Sequence, residues 1–160
     1  AVYQIDDYII PLSQELQYAK NYLEIQSMRY DNSFTVEWDI DKCTLDSHVI
    51  KFTLQPILEN AVTHGLMPIN CEGIIRISAK KEDDTLVIKI ANNGVGMSSE
   101  KLVELQNSLK LDELAIGKGK GIGLRNTQQR IQNVFGPDYG LFIDADDFGT
   151  TVTVKLPNCL

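Results

Sequence analysis

The chain has 160 residues, 43% hydrophobic and 23% charged, with 15 Lys+Arg against 22 Asp+Glu and a formal net charge of −7. Those proportions exclude disordered, collagen-like and coiled-coil-rod classes and predict one compact unit, long enough to bury roughly two-thirds of its unfolded surface without metal or disulfide staples. The acidic balance opposes nucleic acid and anionic membranes as partners, since both carry the same sign.

Cys43, Cys71 and Cys159 lie far apart and are odd in number, so neither a disulfide framework nor a zinc cluster is implied, and they fit a reducing cytosol. No run approaches the ~18 apolar residues of a membrane span, and the start lacks a signal-peptide pattern. Because the chain starts with Ala1 rather than Met, a fragment of something longer is expected.

Residues 13–30 contain no Gly or Pro, place Leu16, Ala19 and Leu23 at helical spacing, and offer Ser13 as N-cap, which predicts an amphipathic helix. Phe34, Val36 and Trp38 then alternate with Thr35, Glu37 and Asp39, the period of a half-buried strand. A second helix is predicted over 51–64, with Gly65 as its stop and Pro56 near its first turn or kinking it. Residues 73–80 and 85–91, rich in Ile and Val, read as a hairpin connected by Glu82-Asp83-Asp84.

A short helix is predicted over 98–109, and the Gly/Lys-rich stretch 117–123 reads as a mobile loop. A further helix over 121–135 carries Ile122, Leu124, Ile131 and Val134 as apolar positions, and 141–145 with 150–156 form a last strand pair. The mixture predicts an α+β fold: a two-layer α/β sandwich, mostly antiparallel mixed sheet with helices on one face.

Three stretches carry chemistry. Asn92-Asn93-Gly94-Val95-Gly96-Met97 follows a strand and precedes a helix, so its glycines let backbone approach a flat ligand, although such a run is also an ordinary turn. The run Gly117-Lys118-Gly119-Lys120-Gly121-Ile122-Gly123-Leu124 exposes N–H groups just before a helix N-terminus, which suits phosphate; a solvated linker is the alternative. From Ile116 to Gly136 the only charges are Lys118, Lys120, Arg125 and Arg130, a positive segment in an acidic chain. On the second helix, Asn60 and His64 are four apart and share a face, and an Asn carbonyl is a hard-oxygen ligand suited to Mg²⁺.

In order, the stretch from Leu54 to Gly65, then Asn92 to Met97, then Gly121-Ile122-Gly123-Leu124-Arg125-Asn126, then Gly149-Thr150-Thr151-Val152 resemble four boxes of one family. They are similar to the N, G1, G2 and G3 boxes of the catalytic ATP-binding domain of sensor histidine kinases, of the superfamily shared with gyrase and heat-shock chaperone ATPases and a Bergerat-type fold. Lys20-Asn21-Tyr22-Leu23-Glu24-Ile25-Gln26 and Leu54-Gln55-Pro56 resemble the LytS/YesM-like branch.

The resemblance implies ATP and Mg²⁺ as cofactors. Asn60 would ligate Mg²⁺, with Glu59 beside it as a catalytic residue and His64 lining the same face. Asn92, Gly94, Gly96 and Met97 would shape the adenine pocket. Lys118 and Lys120 would lie in the lid, and Gly121, Ile122, Gly123, Leu124 and Arg125 would cradle phosphate, while Thr151 with Thr150 would close the adenine end. Residues 1–30 would end a dimerisation and phosphoacceptor region whose histidine is expected upstream of Ala1, and 31–160 would be the catalytic domain. A response regulator downstream, a homodimeric full-length protein, and a cytoplasmic domain on a membrane-anchored chain are further expectations.

Two positions depart from that pattern. The family's G1 box usually begins with Asp, whose carboxylate accepts a bond from the adenine amino group, and here Asn92 stands there. Its carbonyl still accepts but lacks charge assistance, and its NH₂ is a donor. Thr63 stands where many relatives carry Lys or Arg. A regulatory module that binds nucleotide poorly is therefore the alternative to a kinase. An ATP-hydrolysing relative is disfavoured, because the position four before Asn60, where those enzymes carry a water-activating Glu, is Pro56.

Overall fold

The computed structural model describes residues 8–66, 72–110 and 122–158. Strand β1 (Ile9–Pro11) leads directly into helix α1 (Leu12–Arg29). The helix starts one residue before the predicted Ser13, with Pro11 at the N-cap and no side-chain cap. Its first N–H groups donate instead to backbone: Leu12 to the Ser47 carbonyl at 2.7 Å and Ser13 to the Leu45 carbonyl at 3.1 Å. Pro11 fits that junction because its ring fixes φ and its missing N–H has no bond to lose.

Strand β2 (Phe34–Ile40), a short 3₁₀ turn (Lys42–Thr44) and strand β3 (His48–Ile50) follow, and β3 pairs antiparallel with β1 in a two-stranded ribbon. The predicted second helix is shorter and compound: α2 (Leu54–Asn60) runs into a π turn (Ala61–Leu66). Gly65 therefore lies inside the wide turn rather than stopping the helix, and Pro56 occupies the first turn of α2. The helix cannot begin at Lys51, since Phe52 has φ 64, outside the helical region.

Strands β4 (Gly73–Glu82) and β5 (Thr85–Asn92) form the predicted hairpin, closed at the pair Glu82–Thr85 so that only Asp83 and Asp84 turn. Helix α3 (Ser99–Ser108) is capped by Ser98, whose side chain accepts from the Lys101 N–H. After helix α4 (Ile122–Phe135) come β6 (Gly140–Asp146) and β7 (Gly149–Pro157). The five-stranded sheet has the order β2-β4-β5-β7-β6, with β2–β4 parallel and the other pairs antiparallel.

Alternation along the strands separates two faces. Ile75, Ile77 and Ala79 of β4, Leu86, Ile88 and Ile90 of β5, and Val152, Val154 and Leu156 of β7 are buried in one core with Leu12, Leu16 and Leu23 of α1, Ile57 and Leu58 of α2, and Leu124 and Ile131 of α4. The opposite face carries Arg76, Lys80, Lys89 and Phe142 and is exposed. The expected α/β sandwich is therefore present. Two predicted core positions are not: Val134 is 44% exposed on the outer side of α4, and Trp38, on the edge strand β2, is 38% exposed. Among the described residues no helix is long and apolar enough to cross a membrane.

Candidate functional site

The helix that carries Asn60 is held at its start by a buried acid. Glu15 of α1, 2% exposed, accepts the N–H groups of Phe52 at 3.1 Å and Thr53 at 3.3 Å just before α2, and the Thr53 N–H is shared with the Ile50 carbonyl at 3.3 Å. Burial pushes its carboxyl above the usual value, while those two N–H groups and the charges of Arg130 and Lys51 pull the other way. Arg130 of α4 donates to the Lys51 carbonyl, tying a third helix to the same loop.

At the other end, backbone packs on backbone. Val95 N–H donates to the Gly65 carbonyl at 2.8 Å, and a Cβ on Gly94 would collide with that carbonyl. Met97 N–H donates to the Asp146 carbonyl at 3.2 Å, and a Cβ on Gly96 would collide with the same oxygen. Gly149, at φ +156, packs against the Asn92 carbonyl in the same way. Only glycine permits these approaches, and together they bring the π turn, the turn after β5 and the start of β7 to one place.

A cavity of about 420 Å³ opens there, lined by Asn60, Thr63, His64 and Gly65 of the π-turn region, Asn92, Val95, Gly96 and Met97 after β5, the face Lys101, Glu104, Leu105 and Ser108 of α3, and Thr150 of β7. Six residues expected from sequence therefore meet: Asn60, His64, Asn92, Gly96, Met97 and Thr150. Gly94 stands behind them, shaping the turn with its N–H on Asn92 Oδ1 at 2.9 Å.

Other expected residues fall elsewhere. Glu59 is exposed, accepts from Gln55 Nε2 at 3.2 Å and does not line the cavity. It faces Tyr22 of α1, whose hydroxyl is pushed up to about 12 by burial first and then by the negative charge of Glu59 and by Tyr30. Thr151 points to the opposite sheet face from Thr150, because neighbours on a strand alternate, and lines a groove there with Asp144 and Arg76. Leu124 and Arg125 are each 3% exposed, and Gly123 packs near Pro56, its added Cβ 3.6 Å from the Pro56 Cβ. Lys118, Lys120 and Gly121 lie outside the described residues, as does the side chain of Ile122.

Of the positive segment's charges that are described, Arg125 is buried and Arg130 serves the Lys51 loop. Among the described residues the lysine at the cavity is Lys101, which sequence reading missed. Its signal was present: Lys101, Glu104, Leu105 and Ser108 follow i, i+3, i+4, i+7 and so form one helix face.

A five-stranded mixed sheet under helices is the fold of solved histidine kinase catalytic domains. The nucleotide-free catalytic domain of the histidine kinase ThkA superposes with a TM-score of 0.69 at 15% identity, covering 94% of this chain and 96% of that one. Residues 46–159 match the family described as histidine kinase-, DNA gyrase B-, and HSP90-like ATPase, and the chain belongs to that family. Its sequence is 35% identical to the sensor protein LytS of Oceanobacillus iheyensis, over 94% of this chain and 26% of the relative. It is 32% identical to the sensor histidine kinase YesM of Bacillus subtilis, over 93% of this chain and 24% of the relative. The chain spans about a quarter of the length of these curated relatives.

Proposed function

We propose that the chain is the ATP-binding catalytic domain of a sensor histidine kinase of the LytS/YesM type, delivering the γ-phosphate of ATP to a histidine on a dimerisation domain for onward transfer to a response regulator. The observation that carries this reading is the meeting of Asn60, His64, Asn92, Gly96 and Thr150 around one cavity. Their residue types divide the cavity by chemistry. Asn60, His64 and Lys101 offer an amide oxygen, an imidazole and a cation suited to a metal-bound polyphosphate, whereas Val95, Met97 and Leu105 offer apolar surface suited to a flat base.

The donor set fits Mg²⁺, which binds hard oxygen, keeps most of its waters and takes few protein ligands beside phosphate. Asn60 would hold the ion through its side-chain carbonyl, and the ion would supply charge neutralisation at the β- and γ-phosphates. Lys101 would add a positive charge, and the apolar wall would exclude water from the base. Proline at position 56 leaves no carboxylate one turn before Asn60 to activate water, which favours transfer over hydrolysis.

Calorimetric titration with ATP, with and without Mg²⁺, tests the assignment. Asn60→Ala is expected to weaken Mg²⁺–ATP binding by about tenfold or more, roughly 1.4 kcal/mol, with little change for ATP alone. Equal loss with and without the ion would remove Asn60 from the metal. No binding of any nucleotide would favour the regulatory-module reading that Asn92 raises.

A further inference from the structure

The orientation of the Asn92 side chain sets which edge of a base it can read. Gly94 N–H donates to Asn92 Oδ1 at 2.9 Å, and the reversed amide would turn an NH₂ toward that N–H, two donors face to face. Oδ1 is therefore committed to the turn, and the group left over for a ligand is Nδ2. The amide also packs against the glycine of the π turn. It lies flat on Gly65, where an added Cβ would sit 2.7 to 2.9 Å from Oδ1, Cγ and Nδ2 alike.

Asn92 lines the cavity beside Thr150, which is 6% exposed, with Val95, Met97 and Leu105 as apolar walls. A planar base entering between those walls meets a donor at Asn92. An aspartate here would keep one oxygen on Gly94 N–H and present the other as an acceptor, so the Asp-to-Asn difference reverses the polarity of the one group aimed at the base.

We propose that Asn92 is a base-selecting donor and that the cavity takes purine nucleotides with an acceptor at the 6-position, the 6-oxopurines, at least as well as the 6-aminopurine of ATP. This rests on the nucleotide-binding reading above. A 6-oxo group accepts from Nδ2, whereas a 6-amino group sets a second donor against it and leaves the ring N1 as the one acceptor on that edge. Sites that hydrogen-bond a base discriminate through this kind of mismatch.

The test compares Mg²⁺–ADP with Mg²⁺–IDP, which differ in the purine 6-substituent and the N1 proton, by calorimetry on the wild-type chain and on Asn92→Asp. The substitution is isosteric and retains the acceptor for Gly94, and its melting curve checks that it folds. Wild type is expected to bind IDP within about threefold of ADP or more tightly, and Asn92→Asp to shift the ratio about tenfold or more toward ADP. A wild-type preference for ADP of about tenfold, unchanged in the variant, would overturn the base assignment while leaving nucleotide binding intact. No binding of either nucleotide to either protein would overturn the nucleotide reading itself, and this inference with it.

Discussion

At the start of α2 a buried carboxylate holds the chain in place, and eleven or so residues later the absence of side chains does the same work. Glu15 gathers the N–H groups of Phe52 and Thr53 and lets Phe52 keep a left-handed φ of 64. Gly94, Gly96 and Gly149 instead let backbone press on backbone where the cavity forms, and Gly65 leaves room for the Asn92 amide against it. The first device is electrostatic, graded and open to protonation. The second is steric, and neither pH nor a conservative substitution can tune it. Asn60 sits between the two, so the position of the proposed metal ligand depends on both.

The largest effect is expected at the steric end. In Gly96→Ala the new methyl would overlap the Asp146 carbonyl, a backbone atom that cannot rotate away, so strands or turn must separate. A loss of about 3 kcal/mol or more is expected by urea denaturation, in the upper range for overpacking. A loss below about 1 kcal/mol would show that the turn yields, and the contrast with the electrostatic end would disappear.

Glu15→Gln is expected to cost less, about 1–2 kcal/mol, because the amide keeps one acceptor for the two N–H groups and sets a donor against the other. Its pH dependence separates it from the glycines. The folded carboxyl is raised from 4.5 chiefly by burial, so between 4.5 and its folded value the folded chain binds more protons than the unfolded one. Stability from Glu15 is thus fully present below the unfolded value and declines as pH rises through the folded one. Glutamine does not titrate, so the gap between wild type and variant should narrow from pH 4 to pH 7, while the gap for Gly96→Ala stays flat. A gap that widens would mean that Arg130, Lys51 and the two N–H groups outweigh burial.

Features that repeat locally were legible before the fold was known. The β4–β5 hairpin announces itself by Ile/Val runs around an acidic turn, and the glycine pairs of the proposed G1 box by a spacing that serves close approach. What stayed hidden depends on contacts far along the chain. The β1–β3 ribbon joins three-residue strands, Ile9 opposite Ile50, too short to show alternation. Glu15 reads as a helix-surface charge until Phe52 and Thr53 arrive above it. Thr150 and Thr151 are chemically the same, and only the register Asn92–Thr150 decides which one faces the cavity. For Asn92 the sequence showed a carbonyl and an amino group, whereas the bond from Gly94 decides which is available.

Gly123 gives the smallest expected change in stability and the sharpest contrast with Gly96. It is the second residue of α4, and an added Cβ would meet only the Pro56 Cβ at 3.6 Å, an ordinary contact. Nothing in the described fold requires glycine there, and alanine is the better helix former by about 0.5–1 kcal/mol. Gly123→Ala should therefore leave the melting temperature unchanged or raise it slightly. If the residue is glycine so that a phosphate can approach the α4 N-terminus, the same substitution should weaken Mg²⁺–ATP binding by about tenfold. A more stable protein with weaker nucleotide binding would place the demand for glycine in the ligand rather than in the fold. Unchanged affinity would remove Gly123 from the phosphate site and leave the interlocked glycines at 65, 94, 96 and 149 as the ones that shape the cavity.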